Sequence, residues 1–568
     1  MGKSSKCDLL TKSSAKYFSF LFYLIPVAIF VLFSIVDEHN IIMEDQFISL
    51  RYSRNIAEGA GAVFNVGERV EGFSNPLWVI FMTIPFFFHL NFLAYNRILC
   101  ALIAIIQFPI LNRIIKRYNG DLSPRWLEMV PSLYLALTFP FLFWMKSGLE
   151  TVLAALFMLL GISFSIRGRE GFGSFFFGLL SITRPEGIVF ISIPVLSKRL
   201  AGLSGQDRIY GLREYFFIIL PGAAIFAFYE LFRIAYYGKL FPNSFNAKVA
   251  PASLYQKIQG LYYYLDWFWW FWLFIFLFSA IACAIDKKYL KETIVIMCAI
   301  ALNAFFVIAV GGDYMPFARF IVPMMPIFML LFGLGLLSFH RLLEKTKLMG
   351  NQGLIVLALI SVATIFHPDL PRHVKAVSYA FRSPHDLPIP PMTLNERMRQ
   401  FWFTKGGQPN RFVGDWVKNN IPGGAVVATD QCGIIPFISN KRIIDIFGLM
   451  TPVMARTPTD KKPEVLLSMN PDYILLAFSF EPAMPTYLPG LFLHNGFREK
   501  YCLAKIFSSC GYRPGNPGYI LFQRKDLVKN NCYDVFGGGK KDILSIFKQL
   551  LDNKRWTSCW NYDDDIFR

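Results

Sequence analysis

DEHNIIMEDQFISLRYSRNIAEGAGAVFNVGERVEGFSN, residues 37–75, separates an apolar run at 17–36 from another at 76–92. It is rich in acids: Asp37, Glu38, Glu44, Asp45, Glu58, Glu68 and Glu71. The tail before it carries Lys3, Lys6, Lys12 and Lys16. Basic loops stay on the cytoplasmic side of a membrane, so the tail is expected inside and 37–75 outside. Arg113, Lys116, Arg117 and Arg125 follow the apolar run 96–112 and belong inside again. Only one crossing fits between those two loops. Residues 76–92 therefore read as a juxtamembrane or re-entrant helix.

The same test runs along the chain. A crossing takes roughly 17–25 apolar residues. Crossings are placed near 17–36, 96–112, 127–146, 151–166, 214–235, 262–285, 292–310, 319–339 and 353–367. The apolar stretch 172–197 is broken by Arg184-Pro185-Glu186-Gly187 and reads as two short helices, which brings the total to eleven. Arg167/Arg169, Lys198/Arg199/Arg208/Arg213, Lys287/Lys288/Lys291 and Arg341/Lys345/Lys347 then fall inside. One outer loop, 236–261, disagrees mildly, with Lys239, Lys248 and Lys257.

After residue 367 the texture changes. Short β-like runs at 425–429, 442–447, 473–477 and 519–523 alternate with helical stretches such as 411–420, the pattern of a small α/β domain. The expected fold is an α-helical polytopic membrane protein with about eleven transmembrane helices and a C-terminal α/β extracytoplasmic domain. Residues 1–367 form the transmembrane part, with outer loop 37–95, and 368–568 the outer domain. That domain holds Cys432, Cys502, Cys510, Cys532 and Cys559. An outside location permits disulfides, with the pairing left open.

Composition agrees. Of 568 residues, 54% are hydrophobic and 17% charged, against about 25% charged in soluble domains. The net charge of +18 would suit nucleic acid if it formed a patch. It sits instead in short loops between apolar runs, so the expected partner is membrane lipid and not nucleic acid. The cysteines lack CxxC or Cys/His ligand spacing, so no zinc site is expected. No GxGxxG or P-loop sits in a strand–helix context.

The unusual polar residues crowd the outer face. They are Glu44-Asp45, Ser147-Gly148-Leu149-Glu150-Thr151, Arg184-Pro185-Glu186-Gly187, Tyr236-Tyr237-Gly238 with Pro242-Asn243-Ser244, and Gly311-Gly312-Asp313-Tyr314-Met315 with Arg319. Ionisable groups at membrane segments are costly and mark sites or pathways. Their gathering on one face suggests a single outward-facing site. Each also has a bland reading. Glu150 and Asp313 flank helices, where a carboxylate favours the positive dipole end. Arg184 and Glu186 make a plausible structural ion pair, Gly311-Gly312 a helix stop, Asn243 a turn residue, and Lys248 an interfacial cation. Glu44-Asp45 lies between apolar Ile41-Ile42-Met43 and Phe47-Ile48, which a merely solvated face would not require.

The stretch 44–78 resembles the first outer loop of the arabinofuranosyltransferase branch of the GT-C superfamily. That branch includes mycobacterial terminal β-(1→2)-arabinofuranosyltransferases and pilin-glycosylating arabinosyltransferases. The carrying residues are Glu44-Asp45, Phe47-Ile48-Ser49, Arg51-Tyr52, Gly59-Ala60-Gly61 and Asn65-Val66-Gly67-Glu68-Arg69-Val70-Glu71. The later motifs at 147–151, 184–187, 236–244 and 311–315, and the tail segment 429–449, follow in the branch's order. One departure stands out: Glu44 occupies a position where the branch usually has aspartate.

The resemblance implies an inverting glycosyltransferase that takes a sugar, D-arabinofuranose by preference, from a polyprenyl-phosphate donor. The acceptor would be an extracytoplasmic glycan or a protein such as pilin. Asp45 is the implied catalytic base, with Glu44 beside it. Arg184, Arg319 and Lys248 suit the donor phosphate. Asp313, Glu150, Glu186, Asn243 and Tyr237 suit sugar or acceptor hydroxyls. No cofactor is required, and a divalent cation stays open because acids alone do not establish one. The competing classes are a lipid or sugar transporter or flippase, which calls for repeats and midplane charges, and a polysaccharide polymerase or ligase.

Overall fold

The structure, a computed structural model, describes residues 24–35, 42–120, 125–203, 211–248, 254–267, 270–313, 315, 317–345, 407–479, 488, 490–509, 517–528, 533 and 557–560. The expected crossing at 353–367, Tyr314 and the side chain of Lys248 lie outside the described residues, as do Cys510 and Cys532. The chain divides into two compact units. One comprises Met1–His39, Asn96–Tyr229 and Pro251–Ile389, the other Asn40–Tyr95, Glu230–Ala250 and Pro390–Arg568.

The first unit is helical. Among the described residues, Phe92–Asn119, Leu212–Tyr237, Leu290–Val310 and Val322–Lys345 are long and apolar enough to cross a membrane. Trp126–Leu137 and Phe139–Lys146 pass together as a pair bent by 57°. Pro140, at the start of the second helix, explains the bend, because it has no N–H for the preceding turn. Length and composition thus support four crossings, or five with the bent pair. The count of eleven is not confirmed among the described residues, where other runs are shorter or broken. Thr151–Ile166 has 16 residues, and Glu170–Ser181 is parted from Ser192–Leu203 by a 3₁₀ turn, Pro185–Ile191.

Burial separates two kinds of long helix. The apolar window of Val322–Lys345 is 94% buried, whereas that of Leu212–Tyr237 is 11% buried. The former is the unit's central helix. The latter presents Phe228 and Leu231 outward, as a lipid-facing helix does. Small residues let the central helices approach: a Cβ on Gly335 would come within 2.6 Å of Ser279 Cα.

The second unit is built on a six-stranded sheet. Its strands are β1 (Val426–Thr429), β2 (Arg442–Asp445), β3 (Tyr473–Ser479), β4 (Tyr501–Ser509), β5 (Pro517–Arg524) and β6 (Thr557–Trp560). The spatial order is β2-β1-β3-β5-β4-β6. β1 is parallel to β2 and β3, β5 is antiparallel to β3 and β4, and β6 is parallel to β4. Successive side chains of a strand point to opposite faces. Ala428, Ile474, Leu476, Ile520 and Phe522 accordingly fill one core with Leu466 and Phe497. Val427, Leu475 and Leu521 fill the other.

That second core holds the unexpected partner. Ile48, Tyr52, Phe64, Phe73 and Val79 are buried in it beside Val413, Ile435 and Ile443. The division read from sequence kept loop 37–95 with the membrane helices. In the structure residues 40–95 and 230–250 count with the tail, because their apolar side chains complete the sheet's second face. The helix Gln46–Ala57 is therefore a layer of the second unit. Pro76–Phe87, within the apolar run 76–92, is 12 residues long, about 18 Å at 1.5 Å per residue, short of the roughly 30 Å hydrocarbon core.

Candidate active site

Glu44 and Asp45 form the turn that leads into the Gln46–Ala57 helix. The Glu44 carboxylate is clasped. Oε1 accepts from the Gly433 N–H at 2.8 Å and the Ile434 N–H at 3.1 Å, and Oε2 accepts from Asn410 Nδ2 at 2.6 Å. Asn410 Oδ1 in turn accepts from the Tyr519 hydroxyl. Burial pushes the Glu44 carboxyl up to about 7 although these donors favour its ionised form. Asp45 is part-exposed, and its carboxylate does not cap the helix that it precedes. The acidic pair is thus divided: one carboxylate is turned into the tail domain, and its neighbour keeps access to solvent.

Stitches hold the rest of the loop. Arg51 is buried and donates to the carbonyls of Phe64 (2.8 Å), Pro436 (2.9 Å) and Lys441 (2.7 Å), with its guanidinium over the Phe64 ring. Burial lowers it to about 9. Asn65 imitates an edge strand: Nδ2 donates to Ile443 O at 2.8 Å, and Oδ1 accepts from Ile443 N at 3.0 Å. Glu71 pairs with Arg233 at 2.7 Å. Tyr237 donates its hydroxyl to Ala62 O at 2.8 Å. Asn243 gives its amide to Gly448 O and Leu449 O at 2.7 and 2.8 Å. Two residues read as sugar or acceptor contacts therefore spend these polar groups on shaping the unit.

The first unit gathers the other motifs. Arg184 pairs with Glu186 through Nε and with Glu150 through Nη1, the latter at 3.3 Å. Arg319 forks onto Asp313, with Nε to Oδ2 at 2.7 Å and Nη2 to Oδ1 at 3.1 Å. Both guanidinium carbons flank the Phe320 ring, at 5.1 Å for Arg184 and 5.3 Å for Arg319. The loop between Asp313 and Arg319 is strained, since Phe317 and Ala318 both take positive φ, 57° and 52°. Trp144 holds it by donating Nε1–H to Phe317 O at 2.9 Å. Strain of this kind persists only where surroundings enforce it, and it concentrates at functional sites.

The five motifs thus form two clusters, one in each unit. Arg184 with Glu150 and Glu186, and Arg319 with Asp313, make two buried ion-pair groups on either hand of Phe320. Glu44 and Asp45, like Tyr237 and Asn243, belong to the second unit. Sequence reading missed Asn410, Tyr519, Arg233, Trp144 and Phe320, because each reads as ordinary polar or aromatic punctuation. Among the described residues no group of three or more His, Cys, Asp or Glu is placed to hold a metal ion.

Comparison with known proteins follows the same lines. Residues 399–530 match a domain of unknown function, DUF8728. A terminal β-(1→2)-arabinofuranosyltransferase of Mycobacterium tuberculosis is 28% identical over 243 residues, which are 39% of this chain and 37% of that protein. The match spans little more than a third of that relative. ArnT of Cupriavidus metallidurans bound to undecaprenyl phosphate superposes with a TM-score of 0.50 at 13% identity, covering 89% of this chain and 98% of that one. The oligosaccharyltransferase AglB of Archaeoglobus fulgidus, in complex with an inhibitory peptide and a dolichol-phosphate, gives 0.52 at 12% identity, covering 91% and 75%. The chain has the fold of these GT-C glycosyltransferases, and its sequence resembles their arabinofuranosyltransferase branch.

Proposed function

We propose that this protein is a multi-pass membrane glycosyltransferase that moves a sugar from a polyprenyl-phosphate carrier to an extracytoplasmic acceptor. One observation carries the reading: in the acidic pair of the first outer loop, both members part-exposed, the Glu44 carboxylate is taken up by Asn410, Gly433 and Ile434 while Asp45 stands beside it at the head of the helix. Asp45 takes the proton of the acceptor hydroxyl. The hydroxyl oxygen then bonds to the anomeric carbon as the carbon–oxygen bond to phosphate breaks, with inversion, and the electron pair leaves on polyprenyl phosphate. Within the first unit, Arg184 and Arg319 are the cations whose type suits a phosphate, with their carboxylate partners fixing their orientation. The buried ion pairs support the reading, since ionisable groups kept at membrane segments are costly and mark sites or pathways.

D-arabinofuranose as the sugar follows from the likeness to the mycobacterial arabinofuranosyltransferase. A cell-envelope glycan or a secreted protein such as pilin serves as acceptor. The outer unit lies on the periplasmic face of a bacterial inner membrane, a placement supported by the loop charges and by the disulfide at Cys502. The test is transfer of radiolabelled sugar from a synthetic polyprenyl-phosphate donor to an acceptor with no nucleotide sugar present. Label that stays on the lipid under every acceptor tried, while it crosses the bilayer intact, would replace this reading with a flippase.

A further inference from the structure

The part-buried Glu44 belongs to a directional chain of hydrogen bonds. The Tyr519 hydroxyl donates to Asn410 Oδ1, and Asn410 Nδ2 donates to Glu44 Oε2. Glu44 Oε1 takes the two backbone donors, Gly433 and Ile434. Three protein donors thus occupy most of the acceptor capacity of one carboxylate. A general base must offer a lone pair to the proton that it removes, and Glu44's are largely engaged elsewhere. Tyr519 lies on β5, Asn410 on the Gly407–Asn420 helix, and Gly433 at the turn after β1. All three belong to the rigid scaffold of the tail, which is packed on both faces.

We infer that Glu44 is a positioning residue, a latch by which the Tyr519–Asn410 pair and the Gly433 and Ile434 amides set the place of Asp45. This deepens the transferase reading and rests on it. The latch needs an acceptor at 44 and a donor at 410, but it does not need the negative charge to sit at 44. The polarity of the pair can therefore be exchanged. In Glu44→Gln/Asn410→Asp, the glutamine Oε1 still accepts from Gly433 and Ile434, and its Nε2 donates to the new carboxylate. Tyr519 donates to that carboxylate as it did to the amide. In Asn410→Asp alone, two carboxyls face each other and repel once both ionise.

The experiment measures turnover with a defined polyprenyl-phosphate sugar across about pH 6–9, because the repulsion in the single variant grows as its two carboxyls ionise. Amide hydrogen exchange at Gly433 and Ile434 is followed in parallel. Asn410→Asp is expected to lose about 10²-fold in turnover, the scale of an ångström of misplacement. Adding Glu44→Gln should return activity to within about threefold of wild type, a strong positive coupling. Exchange at the two amides should rise in Asn410→Asp and fall again in the pair. If the double variant stays as inactive as the single one while the wild type transfers sugar, position 44 needs its carboxylate and the latch is wrong. Unchanged exchange in Asn410→Asp would sink it equally. A wild-type protein that transfers nothing, yet shows the exchange pattern, would keep the latch and remove the transferase reading.

Discussion

Replacing Gly433 with alanine should displace the acidic turn without removing any titratable group. A Cβ built at Gly433 would stand 2.1 Å from the carbonyl oxygen of Glu44, 2.8 Å from its carbonyl carbon and 2.9 Å from its Cδ. Ordinary contact begins near 3.4 Å, so one segment must yield by 3.4 minus 2.1, or 1.3 Å. The obstacle is backbone, and it cannot swing aside as a side-chain tip would. Asp45 is the next residue and must move by a similar amount. A misplacement of about 1 Å costs about 10²-fold in rate, or roughly 2.7 kcal/mol of barrier. Strain from overpacking adds about 1–3 kcal/mol of lost stability. The assay is turnover of a polyprenyl-phosphate sugar beside a thermal melt. Gly424→Ala serves as control, because its added Cβ meets nothing within 4 Å. A folded Gly433→Ala protein that keeps more than about a third of wild-type turnover, far above the 10²-fold loss, would refute the argument.

Asp45→Asn preserves shape but not the base, and should lower turnover by about 10²–10⁴-fold with donor affinity largely kept; measured donor binding separates the two effects. Burial raises the Asp430 carboxyl to about 7 from an ordinary 3.8. A raised folded-state value means stability that is full below roughly pH 4 and lost as pH rises through 7, so Asp430→Asn should flatten a melt-versus-pH profile across that window. Asp313→Asn strips the buried Arg319 of its charged partner and should cost about 3–5 kcal/mol of stability, read from the melt. Cysteine labelling should find residue 3 and 198–213 cytoplasmic and the tail outside; a cytoplasmic tail would overturn the site.

Several elements were legible because their signals are local. The strands near 425–429, 442–447, 473–477 and 519–523 were readable from short apolar β-branched runs; the structure trims the first two to β1 and β2 and extends the others to β3 and β5. β4 was not, because YCLAKIFSS lacks such a run, and β6, TSCW, carries no run of apolar β-branched residues at all. The Arg184-Pro185 break was legible because proline stops a helix. The core shared by the first outer loop and the tail was not. Ile48 and Tyr52 give a normal helical face, and nothing near them names Val413 or Ile443 as what they meet. For the same reason Glu44 read as a neighbour of the base, while the donors that hold it lie 366 to 390 residues away.

Separation on that scale has a consequence for biosynthesis. Arg51 is made 385 residues before Pro436, the carbonyl to which it donates. At about 5–20 residues per second, its partner arrives only about 20–80 s later. Throughout that interval the Gln46–Ala57 helix has no sheet to cover, and its apolar face must be shielded by lipid headgroups or a chaperone. The second unit closes only after β6 at Thr557–Trp560 has been made, so the acidic turn reaches its working geometry late in the protein's manufacture. A ribosome that stops early leaves membrane helices behind, but not a completed outer unit.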